Sequence, residues 1–285
     1  MSSGARTMGT QRMNTETVSI VLVGAGKMGF AMLQGWAGLG LAGANVAVLE
    51  PIPSPELTAL CAQKDIRLNP AESSLEAPEI LVVAIKPQTL DAAAPRLAAL
   101  AGPGTLIVSI LAGKSIADLS ARAPRAGAIV RAMPNTPAAI GRGVTGAAAS
   151  AGVSEAQRAL AHKLLSAVGS VEWVADESLI DAVTAVSGSG PAYVFLLAEC
   201  LAQAGAAAGL PADLAGRLAR ATVEGAGELM HRSPETPPAQ LRINVTSPGG
   251  TTEAALGVLM AEDGLKPLME KAVAAADARA RALSG

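Results

Sequence analysis

Val18-Ser-Ile-Val-Leu-Val-Gly24-Ala-Gly-Lys-Met-Gly29 is an apolar run of strand length that ends in a glycine-rich turn and passes into a helical stretch, Lys27 to Leu39. In such a strand, turn and helix, Gly24 makes the tight turn, Gly26 lets the backbone approach a pyrophosphate, and Gly29 lets the helix pack on the strand. Lys27 and Met28 complete the loop, and the N–H groups and dipole of the new helix face an anion. A second strand, Asn45 to Leu49, leads into Glu50, about 20 residues past the last glycine, where an acid meets the ribose hydroxyls of a dinucleotide. Two plainer readings compete: glycines that only relieve crowding, and a solvated acid at a strand end. The acid in register favours the dinucleotide. On physics alone Glu50 favours NADH over NADPH, because it accepts from a 2′-hydroxyl, repels a 2′-phosphate, and has no Arg or Lys between it and Gln63.

Outward from this unit, β-branched runs recur at Ile80 to Ile85, Thr105 to Ile110, Ala128 to Met133 and Val171 to Val174, most of them separated by Ala/Leu-rich segments of helical length. Alternation of this kind predicts an α/β domain with a mostly parallel sheet covered on both faces. Ala84-Ile-Lys-Pro87 ends one of those strands, where doubly wound sheets place ligands; Lys86 there suits a ribose or phosphate, or simply caps the strand in solvent. From about Asp176 the β-branched runs stop, and Pro191 to Ala208, Pro211 to His231, Thr251 to Met260 and Gly264 to Leu283 read as helices. Pro191 and Pro211 open helices, Gly209 closes one, and Ser233 to Pro238 is a loop. The expected domains are 1–176 and 177–285. Met1 to Thr17 is polar and is expected to be a disordered extension rather than a signal or anchor.

At 285 residues, two domains are the prior. With only Phe30, Trp36, Trp173, Tyr193 and Phe195 as aromatics, the cores must be built from Ala, Leu, Val and Ile, and Ala/Gly-rich helices that pack this closely favour pairing with a second copy. The 22 basic and 24 acidic residues nearly cancel and form no basic run, which argues against a nucleic-acid surface. Cys61 and Cys200 are isolated and read as buried free thiols in a reducing, cytoplasmic setting. Leu97 to Gly113 and Ala182 to Ala198 are uncharged, but Gly and Pro interrupt them and both fall short of a span of about 20 residues, so no membrane segment is expected.

A second anion site is expected in the helical half. Val245-Thr-Ser-Pro-Gly-Gly-Thr-Thr-Glu253 places two glycines and several hydroxyls at a helix start. There a carboxylate gains about 0.3 to 1 kcal/mol from the dipole, and charge-assisted N–H bonds add about 1.5 to 3 kcal/mol each. A glycine and hydroxyl cap without a ligand is the competing reading. The chemistry is bounded by what is missing: His162 and His231 have no acid in sequence reach, Tyr193 is followed four residues later by Leu197 rather than Lys, and Ser187-Gly-Ser-Gly-Pro191 lacks nucleophile-elbow spacing. A hydride transfer here needs a substrate that brings its own activation, such as a protonated cyclic imine.

Gly24-Ala-Gly-Lys-Met-Gly29, Ala84-Ile-Lys-Pro87, Arg131-Ala-Met-Pro-Asn-Thr-Pro137, Thr184-Ala-Val-Ser-Gly-Ser-Gly-Pro-Ala-Tyr193 and Val245-Thr-Ser-Pro-Gly-Gly-Thr-Thr252 occur in the order and spacing of pyrroline-5-carboxylate reductases, which the chain resembles over nearly everything after residue 17. The resemblance implies a Rossmann domain followed by an all-α dimerisation domain, dimers often built into larger rings, and NADPH- or NADH-dependent reduction of 1-pyrroline-5-carboxylate to L-proline. It assigns Gly24 to Gly29 to the pyrophosphate, and Asn69, Ala84, Lys86 and Pro87 to the rest of the cofactor. Ser247, Gly249, Gly250, Thr251 and Thr252 go to the substrate carboxylate, and Thr252 to the ring nitrogen. Asn244, Val245 and Glu235 fall near the pocket, Asn244 on its cofactor side. Ile243 departs from the family, where a polar residue is common, and the family's usual NADPH preference opposes the lean drawn from Glu50. Two other readings stay open at this point. A β-hydroxyacid dehydrogenase would need a lysine that Ser187 to Leu197 does not supply; a dinucleotide-binding regulator would catalyse nothing.

Overall fold

A computed structural model describes residues 18–284, so the expected extension Met1 to Thr17 lies outside the described residues. Contacts divide the chain into two compact units: residues up to Ala132 with Pro137–Glu177, and Met133–Thr136 with Ser178 onward.

The first unit is built on eight strands: β1 (Ile20–Val23), β2 (Val46–Leu49), β3 (Arg67–Leu68), β4 (Ile80–Val83), β5 (Leu106–Ser109), β6 (Ala128–Pro134), β7 (Gly143–Ala149) and β8 (Gly169–Trp173). They lie in the order β3-β2-β1-β4-β5-β6-β7-β8, and β1 pairs in parallel with β2 and β4 on either side. Every residue of β1, β2, β4 and β5 is buried, as a sheet covered on both faces requires. Alternation along β1 divides the core: Ile20 and Leu22 face one apolar layer, Val21 and Val23 the other. Five helices supply those layers: α1 (Lys27–Gly38), α2 (Pro55–Gln63), α3 (Leu90–Leu100), α4 (Ile116–Arg122) and α5 (Glu155–Leu165). Met32, Leu33 and Trp36 of α1, Leu57 of α2 and Leu164 of α5 fill the first layer, and Leu90 and Leu97 of α3 with Leu119 of α4 fill the second. Full burial of each such side chain contributes about 1.5 to 3 kcal/mol. Trp36 satisfies its indole N–H on the Leu164 carbonyl oxygen at 2.9 Å. Arg131 of β6 is buried and pairs at 3.1 Å with Glu177, which also accepts the Ile116 N–H that opens α4, so one carboxylate ties the middle of a strand to a helix start.

Two strands escape the sequence pattern: β3 is two residues long, and β7, Gly-Val-Thr-Gly-Ala-Ala-Ala, has only Val144 and Thr145 as β-branched residues and opens on a glycine that close packing demands. A Cβ on Gly169 of β8 would lie 1.8 Å from the carbonyl oxygen of Gly143, its register partner on β7.

The second unit carries α6 (Leu179–Val183), α7 (Gly190–Ala207), α8 (Ala212–Arg232), α9 (Pro238–Asn244), α10 (Thr251–Leu259) and α11 (Leu265–Ser284). Gly209, at φ +100°, closes α7 as its sequence position predicts, with the Leu210 N–H returning to the Gly205 carbonyl oxygen. The glycines and proline that interrupt Ala182 to Ala198 in the sequence do not break the helical path. A π-turn over Thr184–Gly188 joins α6 to α7, the Ser189 N–H reaching the Thr184 carbonyl oxygen, and Pro191 falls in the first turn of α7, where its missing N–H costs nothing. Carbonyl oxygens of the π-turn are met by donors from outside it: the Tyr193 hydroxyl of α7 donates to that of Ala185 and the Asn135 amide to that of Ser187. A Cβ on Gly188 would meet the end of the Met133 side chain at 3.0 Å. These contacts explain why Met133–Thr136 belongs to the helical unit.

The unbroken run Leu179–Ala207 corrects the reading of Ala182 to Ala198 as too short to matter: by length and composition it suffices to cross a bilayer. It buries little. Neither α7, α9 nor α10 has a buried residue, and Val194, Phe195, Leu196 and Leu197 stand exposed on α7. Cys200, expected to be buried, is exposed for the same reason, whereas Cys61 is buried and that burial pushes its thiol pKa up.

Candidate active site

In the first unit the glycine loop is shaped by contact. Gly24 sits at φ +90°, and a Cβ there would be 2.7 Å from the Ala84 carbonyl oxygen; one on Gly29 would be 2.4 Å from that of Gly24. Gly26 is different: nothing lies within 4 Å of its Cβ position. Close packing therefore demands Gly24 and Gly29, while the space at Gly26 is open to a ligand. Gly26 begins α1 without any side-chain cap, which leaves the first-turn amides for an anion.

Beside this loop lies a cavity of about 830 Å³ lined by residues that include Gly24, Gly26, Glu50, Ala84 and Lys86, within the size range of small-molecule sites. Glu50 is not a freely solvated acid: its Oε2 accepts the Ala25 N–H at 2.8 Å and its Oε1 the Ile52 N–H at 3.2 Å. Asn69, at φ +47°, clasps the Glu50 backbone, its Oδ1 accepting the Glu50 N–H at 2.9 Å and its Nδ2 donating to the Glu50 carbonyl oxygen at 2.8 Å. Lys86 precedes a single helical turn, Pro87–Thr89, that follows β4.

In the second unit Ser247–Gly250 forms a tight turn, the Gly250 N–H reaching the Ser247 carbonyl oxygen at 3.0 Å with Gly249 at φ +70°. Gly250 then begins α10, again without a side-chain cap, so Thr251 and Thr252 occupy the first turn of an open helix start. Asn244 ends α9 and accepts the Gln240 amide, Val245 follows it exposed, and Glu235 lies exposed on the turn before α9. A groove of about 490 Å³ runs beside the loop, lined by Arg242, Ile243, Thr246 and Glu253 among others; Glu235 is not among its lining residues.

Sequence reasoning gave no role to Glu253, whose carboxylate accepts the Gly249 N–H at 2.7 Å. The signal was present as an acid three residues past the helix cap, a position from which a carboxylate can reach back, though here it reaches Gly249, one residue before the cap Gly250. Arg131 opens one of the motifs shared with the family, but nothing in sequence spacing paired it with Glu177.

Residues 177–283 match the family model for pyrroline-5-carboxylate reductase dimerisation, and residues 19–113 that for NADP oxidoreductase, coenzyme F420-dependent. The chain is 42% identical to the pyrroline-5-carboxylate reductase of Pseudomonas aeruginosa, covering 94% of this chain and 97% of that one, and 46% identical to the Synechocystis enzyme over 76% and 80%. Among solved structures, the Coxiella burnetii pyrroline-5-carboxylate reductase superposes with a TM-score of 0.86 at 33% identity, covering 94% of this chain and 99% of that one. The Plasmodium falciparum enzyme with NADP bound gives 0.74 at 28% identity, covering 95% and 99%. This chain therefore belongs to the pyrroline-5-carboxylate reductase family, an NAD(P)H-dependent oxidoreductase that reduces 1-pyrroline-5-carboxylate to L-proline in the last step of proline biosynthesis.

Proposed function

We propose that Gly24, Gly26, Lys27, Met28 and Gly29 hold the dinucleotide pyrophosphate, that Glu50, Asn69, Ala84, Lys86, Pro87 and Asn244 complete the cofactor set, and that Ser247, Gly249, Gly250, Thr251 and Thr252 grip the substrate, with Val245 and Glu235 nearby. The observation that carries this reading is the uncapped start of α10 behind a left-handed Gly249, which presents main-chain amides to a carboxylate without requiring a lysine.

The reduced nicotinamide, when bound, supplies the hydride. The substrate enters as a protonated imine whose carbon is already electrophilic, so the chain's task is orientation. The first-turn amides of Thr251 and Thr252 fix the carboxylate, with that of Gly249 shared with Glu253, and Thr252 Oγ1 accepts the N–H of the ring. Hydride adds to the imine carbon, the C=N π electrons move onto nitrogen, and the nitrogen, keeping its proton, becomes the amine of L-proline. No general base is needed, in keeping with a site whose proposed residues include no histidine.

A second copy of the chain, as a homodimer or a ring of dimers, covers the apolar face of α7. The match to a dimerisation model over 177–283 supports a protein partner there rather than a bilayer. Two free cysteines support a cytoplasmic setting. The site assignment is tested by crystals grown with L-proline: its carboxylate should lie on the Gly249 to Thr252 amides, and proline bound elsewhere with that turn vacant overturns the assignment.

A further inference from the structure

We propose that Glu50 makes this enzyme prefer NADH over NADPH. The inference rests on the dinucleotide site proposed above. Three observations carry it. First, Glu50 follows β2 directly, at the strand end where the ribose of the adenosine half is bound in this fold, and it lines the 830 Å³ cavity beside Gly24 and Gly26. Second, its carboxylate is fixed: one oxygen is held by the Ala25 N–H, the other by the Ile52 N–H, and Asn69 clasps its backbone from both sides. Each oxygen keeps a lone pair for a ribose hydroxyl, but the group cannot turn away from a 2′-phosphate without giving up two main-chain hydrogen bonds, one of them from the phosphate-binding loop itself. Third, the surroundings offer such a phosphate little compensation. Of the two basic residues lining the cavity, Arg96 is paired with Glu72 at 2.7 Å, and Lys86 follows β4, which β1 separates from β2 in the sheet. The Arg96–Glu72 pair thus brings no net positive charge to this wall. A dianionic group therefore faces a fixed carboxylate, whereas a 2′-hydroxyl finds an acceptor.

The test compares kcat/KM for NADH and NADPH at saturating pyrroline-5-carboxylate. The native enzyme should favour NADH by about tenfold or more, the discrimination lying mainly in KM, since a like-charge clash at a binding group costs at least one decade. Glu50→Gln keeps the shape and an acceptor for the Ala25 N–H, gives up the longer bond from the exposed Ile52 N–H, and removes the charge. It should fold with a near-native Tm and raise the NADPH/NADH ratio about tenfold, whereas Arg96→Ala should leave that ratio unchanged. Native preference for NADPH, an unmoved ratio in Glu50→Gln, or a selective loss of NADPH in Arg96→Ala each overturns the proposal. Binding of ADP-ribose by calorimetry separates this from failure of the site itself: if Gly26→Ala leaves ADP-ribose affinity unchanged, the dinucleotide site is misplaced. If Gly26→Ala weakens it while the ratio stays put in Glu50→Gln, only the role of Glu50 fails.

Discussion

The carboxylate of Glu253 accepts a hydrogen bond from the main-chain N–H of Gly249 at 2.7 Å, so a resident anion already uses one of the amides proposed to hold the substrate. A substrate carboxylate arriving at this turn must share that amide and face a like charge. Glu253→Gln keeps the back-bonded helix start, since glutamine serves the same capping position, and removes the charge. Its KM for pyrroline-5-carboxylate should fall about two- to tenfold, matching about 0.5 to 1.5 kcal/mol, with kcat and the cofactor KM nearly unchanged. A KM that rises in steady-state assays would show that Glu253 supports the turn rather than competes at it.

Thr252→Ala should lower kcat strongly, by about two orders of magnitude, if its hydroxyl orients the ring nitrogen in the transition state. Dinucleotide affinity, read by fluorescence titration, should stay within about twofold of the native value because Thr252 is assigned to the substrate and not to the cofactor. Equal weakening of both would refute the role.

The glycine loop separates packing from binding. Gly29→Ala puts a methyl 2.4 Å from the Gly24 carbonyl oxygen and should cost about 1 to 3 kcal/mol of stability. Gly26→Ala meets no atom within 4 Å, so its Tm should match the native protein while dinucleotide affinity falls about tenfold or more. Thermal unfolding and titration on the same two variants check both statements.

Legibility followed the strength of local signals. β1, its turn and α1 could be read because strand burial, glycine spacing and Glu50 agree. The strand at Gly143–Ala149 could not, because its Gly146-Ala-Ala-Ala149 run lacks the β-branched signature and its opening glycine answers to packing against Gly169 rather than to strand propensity. The run Leu179–Ala207 was misjudged because Gly188, Gly190 and Pro191 look like a break until a π-turn absorbs them. At the candidate site the two loops were visible as glycine clusters, but the Glu253 contact and the fixing of the Glu50 carboxylate by the Ala25 amide arise only when the chain is folded.

Phe195 is 64% exposed on a helix with no buried residue. Phe195→Glu should therefore dissociate the assembly and lower Tm in a concentration-dependent way, as expected when folding and association are linked. Light scattering that gives an unchanged mass for the variant would rule out α7 as the pairing face.

Asp118 sets a pH dependence. Partial burial pushes its pKa up, but the Ser115 amide and hydroxyl, with Lys114 and Arg122 nearby, outweigh this and hold the carboxyl below its ordinary value. A depressed folded-state value means that its contribution is complete above the ordinary carboxylate pKa of about 3.9 and fades as pH falls through the lowered value. Asp118→Asn should thus be less stable than the native protein at neutral pH, and the gap should narrow in acid. Calorimetric Tm values at pH 7 and about pH 3 check this; a constant gap contradicts it.

The four residues Met133–Thr136 bind into the helical unit while the strand that carries them, Ala128–Pro134, begins in the sheet. Recombination that excises the C-terminal half as a cassette would leave the Ser187 carbonyl oxygen without its Asn135 donor and Gly188 facing a hole where Met133 had been. The two halves of this enzyme are thus stitched into a single heritable piece, and shuffling either one alone carries a structural debt that the other holds.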